Sequence, residues 1–362
     1  MNTPTRSGPT VEAVLAAPKV LLHDHLDGGL RVPTILELAD GIGHPLPSTD
    51  EDVLRAWFVR GAKSLDILQY LETFQHTAGV MQTADAIERV AYEAATDLAA
   101  DGVVYAEVRF APELHQERGL ALDAVSEAVQ AGLRRGSSEA AAAGHPITVN
   151  TIVCAMRTGT RSVEIARAAA RWRDRDERIV AFDIAGAETG WPPSLHADAF
   201  AVARAAQMHI TVHASEPPDL ELIADGLGHG AERIGHGVRI TTDIDRTDPD
   251  NWRLGRLARA VLERQIHLEM APSCHVHVGA VASFEQHPIA ALLRHGFSVG
   301  VNTDNRLMSD VSVTSEVHDV AVAFGLTWNE VGQLQRQAME HSFADWSTRR
   351  RVVDDVLNPA YG

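Results

Sequence analysis

The sequence predicts an α/β protein built as a closed parallel barrel of the (β/α)8 type, and three observations predict it. Short apolar runs rich in Val and Ile recur eight times along the 362 residues. They are apolar throughout instead of alternating, the pattern of strands buried on both faces. Long Ala-rich, helix-like stretches separate them, and eight strand–helix units suit a closed barrel better than an open doubly wound sheet. No G-x-G-x-x-G phosphate loop follows the first run, so a nucleotide-cofactor fold loses its main support.

The first run carries the most chemistry. Val20, Leu21 and Leu22 lead into His23, Asp24 and His25, and then into the turn Asp27-Gly28-Gly29. Side chains two apart on a strand share a face, so His23 and His25 point the same way and can grip one metal ion. Residues 33–82 then hold several short helical patterns, read as a helical insertion after strand 1. In SLDILQYLETF, Leu65, Leu68, Leu71 and Phe74 share one helical face. Long connections at the carboxyl end of a barrel commonly cover the active site, which makes this insertion a candidate lid.

The remaining strands are expected at Val103 to Phe110, Ile147 to Met156, Ile179 to Ile184, His209 to His213, Arg233 to His236, Gln265 to Met270 and Phe297 to Thr303. Helices are expected at Ala84 to Ala100, Leu122 to Ala143, Val163 to Arg173 and Ala197 to Met208. From Val313 the chain reads as C-terminal helices, with Arg349, Arg350 and Arg351 on a solvated face. No linker rich in Pro, Gly and Ser divides residues 1–362, so one domain is expected, with a disordered start over residues 1–10.

Charge and cysteine content narrow the partners. A formal charge of −17 argues against a nucleic-acid backbone or an anionic membrane, both of which would be repelled. Cys154 and Cys274 are too few for a disulfide framework and suit a reducing compartment. The apolar run Val14-Leu15-Ala16-Ala17 is too short for a signal-peptide core or a membrane span. The expected location is cytoplasmic, and the expected partner is a small molecule.

More polar residues fall at strand ends. The fifth run closes in His213 and, three residues on, Glu216; the sixth closes in His236; the eighth closes in Asp304. In a barrel these ends form one rim, where barrel enzymes place their chemistry. Together with His23 and His25 they predict a metal site. Imidazole nitrogens with a carboxylate oxygen suit zinc better than calcium or magnesium, while iron, cobalt and manganese stay admissible. A metal with one position left to water brings that water's pKa to about 7. A histidine beside it can take the proton, and a nearby carboxylic acid can protonate the group under attack. His236 and Glu216 are the natural candidates, although position alone does not separate ligand from base among the histidines.

The chain resembles the adenosine deaminase family of metal-dependent amidohydrolases. The resemblance runs essentially end to end, through LLHDHLDGGLRVPTILELA, GVVYAEVRFAPELH, VAFDIAGAE, VHASE, RIGHG, VNTDN and AMEHSF. It implies a (β/α)8 barrel that hydrolyses the exocyclic amine of adenosine or 2′-deoxyadenosine to give ammonia. It further implies one zinc ion per chain on His23, His25, His213 and Asp304. His236, helped by Asp304, would orient and deprotonate the attacking water, and Glu216 would protonate purine N1. The Gly186 N–H would face N3, Asp27 would accept from the ribose 5′-hydroxyl, Asn305 would meet N7, and His25 would also border the substrate.

The chain departs from the family pattern at three places. Asn305 stands where a second aspartate is usual, and its amide can donate to N7 with no change of protonation. VHASE places Ser215 where VHAGE is commoner. APSCHVHVGA replaces the usual CPSSN-x-x-TG and introduces a second H-x-H, His275 and His277. No matching acid or histidine is left to complete a second metal site, so the altered 271–280 loop is expected to change what the pocket accepts around the sugar. A 5′-modified nucleoside such as 6-aminofutalosine or methylthioadenosine is then the alternative substrate. A metal amidohydrolase opening a cyclic amide or ester, and a catalytically silent binding protein, are the rival classes. Glu216 discriminates the first, since proton donation to a ring nitrogen is the purine-specific step, and the complete ligand set with Glu216 and His236 argues against the second.

Overall fold

Eight parallel strands pair in chain order: β1 (Lys19–His25), β2 (Val103–Phe110), β3 (Thr148–Met156), β4 (Ile179–Ala185), β5 (His209–Ala214), β6 (Arg233–His236), β7 (His267–Met270) and β8 (Val299–Val301). The structure is a computed structural model and describes residues 8–63, 67–248 and 251–362. Residues 1–7 of the expected disordered start, Leu65, and the side chains of Leu68 and Leu71 lie outside the described residues.

The last strand returns to the first. Asp24 bridges Asp304 in parallel, His25 N–H donates to the Asp304 carbonyl at 2.8 Å, and Asp304 N–H donates to the His23 carbonyl at 2.9 Å. Closing the barrel therefore also brings the residues of the first and last rim motifs into contact.

The strands are buried along nearly their whole length, as continuous apolar runs require, and helices cover the outer face. The barrel interior is not wholly apolar. Arg109 donates to Asp183 Oδ2 at 2.8 Å and to Glu269 Oε2 at 2.7 Å. Arg233 donates to Glu269 Oε1 at 2.7 Å and to Glu107 Oε2 at 2.6 Å. All five residues are almost fully buried, so each charge needs its partner to remain there.

Element boundaries differ from expectation where the backbone turns left-handed. The helix expected to reach Met208 ends at Ala205, just before Gln207 at φ 54°. The seventh strand starts at His267, after Gln265 at φ 51°. The eighth pairs with β7 only over Val299–Val301, and Asn302 beyond it accepts at Oδ1 from the Leu22 and His23 N–H groups of β1.

Three helices, Val32–Ile42, Glu51–Ala62 and Ile67–Val80, follow β1 and precede the helix Ala84–Ala100. At the other end, helices Val313–Phe324 and Trp328–Glu340 pack back on the barrel. Gln335 Oε1 accepts from the Val20 N–H at 2.8 Å, and Tyr361 O–H donates to the Pro18 carbonyl at 2.8 Å. Among the described residues, no helix is long and apolar enough to cross a membrane.

Candidate active site

The alternation of β1 sends His23 and His25 to one face and Asp24 to the other. Asp24 accepts from Thr303 Oγ1 at 2.8 Å and from Arg306 Nε at 3.0 Å, which ties β1 to the segment after β8. His23 and His25 meet His213 from β5 and Asp304 from beyond β8. His23 Nε2 and His25 Nε2 each lie 3.3 Å from Asp304 Oδ1, and His25 Nε2 lies 3.1 Å from His213 Nε2. One ligand atom from each of the four residues falls within 4.8 Å of all the others.

The far side of two of these rings is occupied. Glu269 Oε2 lies 2.9 Å from His23 Nδ1, and Asp183 Oδ2 lies 2.8 Å from His213 Nδ1. A carboxylate on Nδ1 keeps the proton there and turns the Nε2 lone pair inward, as in carboxylate–histidine–metal arrangements. His23 Nε2 is buried with no hydrogen-bond partner. A buried group left in that condition costs about 1–3 kcal/mol, and a cation at the meeting point removes the cost. The donor set and this orphaned nitrogen fit a metal ion.

Beside the four ligands stand Glu216 and His236. His236 Nε2 is 4.0 Å from Glu216 Oε1. Burial, and then the nearby Glu188 and Asp304 carboxylates, push Glu216 well above the usual carboxylate range. Its acid form therefore persists to higher pH than that of an exposed carboxyl. The backbone that aims these groups is strained: Ser215, His236 and Asp304 have φ of 73°, 64° and 57°. Non-glycine residues in this region cost about 1–3 kcal/mol each and cluster at sites that need a side chain aimed off the regular strand.

A cavity of about 640 Å³ opens in front of this group, a size usual for small-molecule sites. His25, Asp27, Gly186, Glu216, His236 and Asn305 border it. Tyr70 and Phe74 close it from the inserted helix Ile67–Val80. Asp27 is buried, and burial pushes its carboxyl up to about 6. Gly186 sits at φ 101°, and a Cβ there would stand 3.0 Å from the Met156 methyl. Asn305 donates its amide to the Tyr70 hydroxyl, while its Oδ1 has no partner.

The candidate ligands, the acid, the base and the substrate-facing residues named from the sequence all gather here, whereas His277 does not. Residues 272–277 form a short helix, where positions two apart diverge by about 200° instead of sharing a face. His275 accordingly points inward to His236, and His277 does not join it. Among the described residues, none of 271–280 lines the cavity, but Cys274 Sγ lies 3.9 Å from Glu216 Oε1 and 3.7 Å from the Tyr70 hydroxyl, both of which do.

Sequence reasoning missed Asp183, Glu188, Arg109 and Glu269. Glu188 Oε2 accepts from the Ser215 N–H at 2.7 Å and so steadies the strained turn before Glu216. A usable signal existed for Asp183 and Glu269: each is an acid inside an otherwise apolar strand run, where a charge persists only if partnered.

A family model described as adenosine deaminase matches residues 18–359. An adenosine deaminase of Mycobacterium sp. (strain KMS) is 50% identical over 363 aligned residues, which cover 100% of this chain and 99% of that protein. Among solved structures, an adenine deaminase from Arthrobacter aurescens is 24% identical with a TM-score of 0.80, over 96% of this chain and 100% of that one. An amidohydrolase from Burkholderia ambifaria, solved with bound Zn, is 21% identical with a TM-score of 0.82, over 100% of this chain and 94% of that one. The two structural likenesses bear on the fold; the family match and the full-length identity place this chain in the adenosine deaminase family.

Proposed function

We propose that this chain is a zinc-dependent hydrolase that converts adenosine, and 2′-deoxyadenosine, to the corresponding 6-oxopurine nucleoside and ammonia. The observation that carries the reading is Glu216, a buried carboxyl group whose acid form burial stabilises, standing beside a His3Asp ligand cluster on one cavity. Full-length identity of 50% to an adenosine deaminase supports it.

His23, His25, His213 and Asp304 would hold zinc. When bound, zinc brings the pKa of a coordinated water to about 7 and so supplies a nucleophile at neutral pH. Glu216 donates its proton to purine N1, which draws electrons from C6 and opens that carbon to attack. His236 and Asp304 flank the water and orient it as its oxygen bonds to C6. The C6–N bond then breaks. Of the water's two protons, one resupplies Glu216 and the other leaves with the amine.

Asp27, ionised above about pH 6, accepts from the 5′-hydroxyl. The Gly186 N–H faces N3, which a Cβ at that position would obstruct. Asn305 meets N7 once its amide is turned so that the Tyr70 hydroxyl donates to Oδ1, and His25 borders the substrate. The insertion serves as the lid of a one-domain chain. Two buried, unpaired cysteines support a reducing, cytoplasmic setting.

A spectrophotometric deamination assay on zinc-loaded protein tests the reading, with adenosine, 2′-deoxyadenosine, methylthioadenosine, 6-aminofutalosine and adenine side by side. Adenosine turnover with kcat/KM of about 10⁴ M⁻¹s⁻¹ or more is expected. Strong turnover of a 5′-modified nucleoside beside weak turnover of adenosine would replace it with that alternative.

A further inference from the structure

His275, the inward member of the second H-x-H, begins a chain of three buried rings. Its Nε2 lies 3.0 Å from His236 Nδ1, and its Nδ1 lies 2.8 Å from His287 Nε2. The His236 and His275 rings meet at 61°, while those of His275 and His287 lie nearly in one plane, 7° apart. All three residues are at most 3% exposed. Beyond them the Ile289 backbone N–H donates to His287 Nδ1 at 3.3 Å.

That last bond sets the direction of the others. A neutral imidazole carries one proton, on one nitrogen. His287 Nδ1 accepts from a backbone N–H, so the His287 proton is on Nε2 and is donated to His275 Nδ1. His275 must then carry its own proton on Nε2, where it is donated to His236 Nδ1. The reverse direction would leave His287 with no proton on either nitrogen, a buried imidazolate anion, which costs far more than the neutral ring. Burial also pushes His287 down to about 3 and His275 well below the usual histidine range, so both rings stay neutral.

We propose that His275 is a positioning residue: by donating from Nε2 to His236 Nδ1 it holds that ring in place and puts its single proton on Nε2, facing Glu216 and the cavity. His236 then enters the site as a hydrogen-bond donor that holds the attacking water's oxygen. This narrows the dual role, orienting and deprotonating, that the family resemblance implied for His236. It rests on the reading of the site as a deaminase for its effect on turnover, though not for the tautomer itself.

Two measurements test it. The first is ¹⁵N NMR on histidine-labelled native protein, with His236 signals assigned by their loss in His236→Gln. The proton is expected on His236 Nε2 in both metal-free and zinc-loaded protein, and a proton on Nδ1 overturns the proposal. The second compares His275→Met, which removes the donor at similar volume, with His275→Gln, whose amide presents a donor near the Nε2 position. His275→Met is expected to lower kcat about 10- to 100-fold, with KM within about threefold and zinc content unchanged. His275→Gln is expected to recover most of the loss. Full activity in His275→Met, or equal impairment in both variants, overturns the proposal. A wild-type protein inactive on adenosine would instead count against the functional reading, and the NMR result on the native chain would still decide the tautomer.

Discussion

Glu269 Oε2 lies 2.9 Å from His23 Nδ1, and both side chains are fully out of solvent. The same carboxylate is gripped by Arg109 at 2.7 Å and Arg233 at 2.7 Å, so the ligand's orientation is anchored in the barrel's interior charges. Weakening that anchor loosens the metal site and the fold together. In Glu269→Gln, zinc affinity is expected to fall about 10- to 100-fold. Stability should fall by about 3–5 kcal/mol, because two guanidinium groups lose a buried counter-charge. Competition with a chelator and chemical denaturation measure the two effects. Unchanged zinc affinity would show that His23 needs no such support.

Glu216 is the proton donor of the proposed reaction, and Gln cannot release a proton. Glu216→Gln is expected to lower kcat/KM about 10²- to 10⁴-fold while the protein still binds zinc. The acid form is the active one, so activity falls as pH rises through the raised Glu216 pKa. Burial sets most of that rise, and the Glu188 carboxylate adds to it. Removing that negative charge makes Glu216 easier to ionise. In Glu188→Gln the alkaline limb of the kcat/KM profile should move to lower pH; a shift to higher pH would contradict the electrostatic account.

Ser215 holds φ at 73° and has a buried hydroxyl with no partner. An L-residue in the left-handed region costs about 1–2 kcal/mol, a cost glycine avoids. Ser215→Gly is expected to raise stability by about 1 kcal/mol with kcat/KM preserved, as thermal unfolding and steady-state assays would show. The Ser215 N–H to Glu188 bond survives the change, since it belongs to the backbone.

Glu316 supports the short helix that carries His275: its carboxylate accepts from the Ser273 N–H at 2.7 Å and the Ser273 hydroxyl at 2.6 Å. Burial pushes this carboxyl from 4.5 up to about 7. The folded state therefore binds the proton more tightly than the unfolded chain. The stability this provides is complete below about pH 4.5 and is lost as pH climbs through 7, a change of about 3 kcal/mol. Glu316→Gln removes the titration, so its melting temperature should gain on the wild type steadily between about pH 5 and 8. A difference that stays constant with pH would sink this assignment.

Much of the site was legible because local rules place it. A period of two puts His23 and His25 on one face, and apolar runs ending in polar residues mark the rim that holds His213, His236 and Asp304. The same spacing rule does not apply at His275 and His277, set aside as a second metal site from sequence, because the local structure is helical and two-residue spacing separates the side chains. From sequence the altered 271–280 segment is expected to change what the pocket accepts around the sugar. The structure puts Cys274 against Glu216 and Tyr70, and His275 against His236.

The sequence by itself determined the barrel, the order of its strands and the residues offered at their ends, because these depend on hydrophobic period and chain order alone. Tertiary structure decided which nitrogen of each histidine faces inward and which acid answers it. Glu269 is 246 residues from His23, Asp183 is 30 residues from His213, and His275 is 39 residues from His236. Pairings across such distances follow from how closed strands and rim segments pack, and no local pattern encodes them.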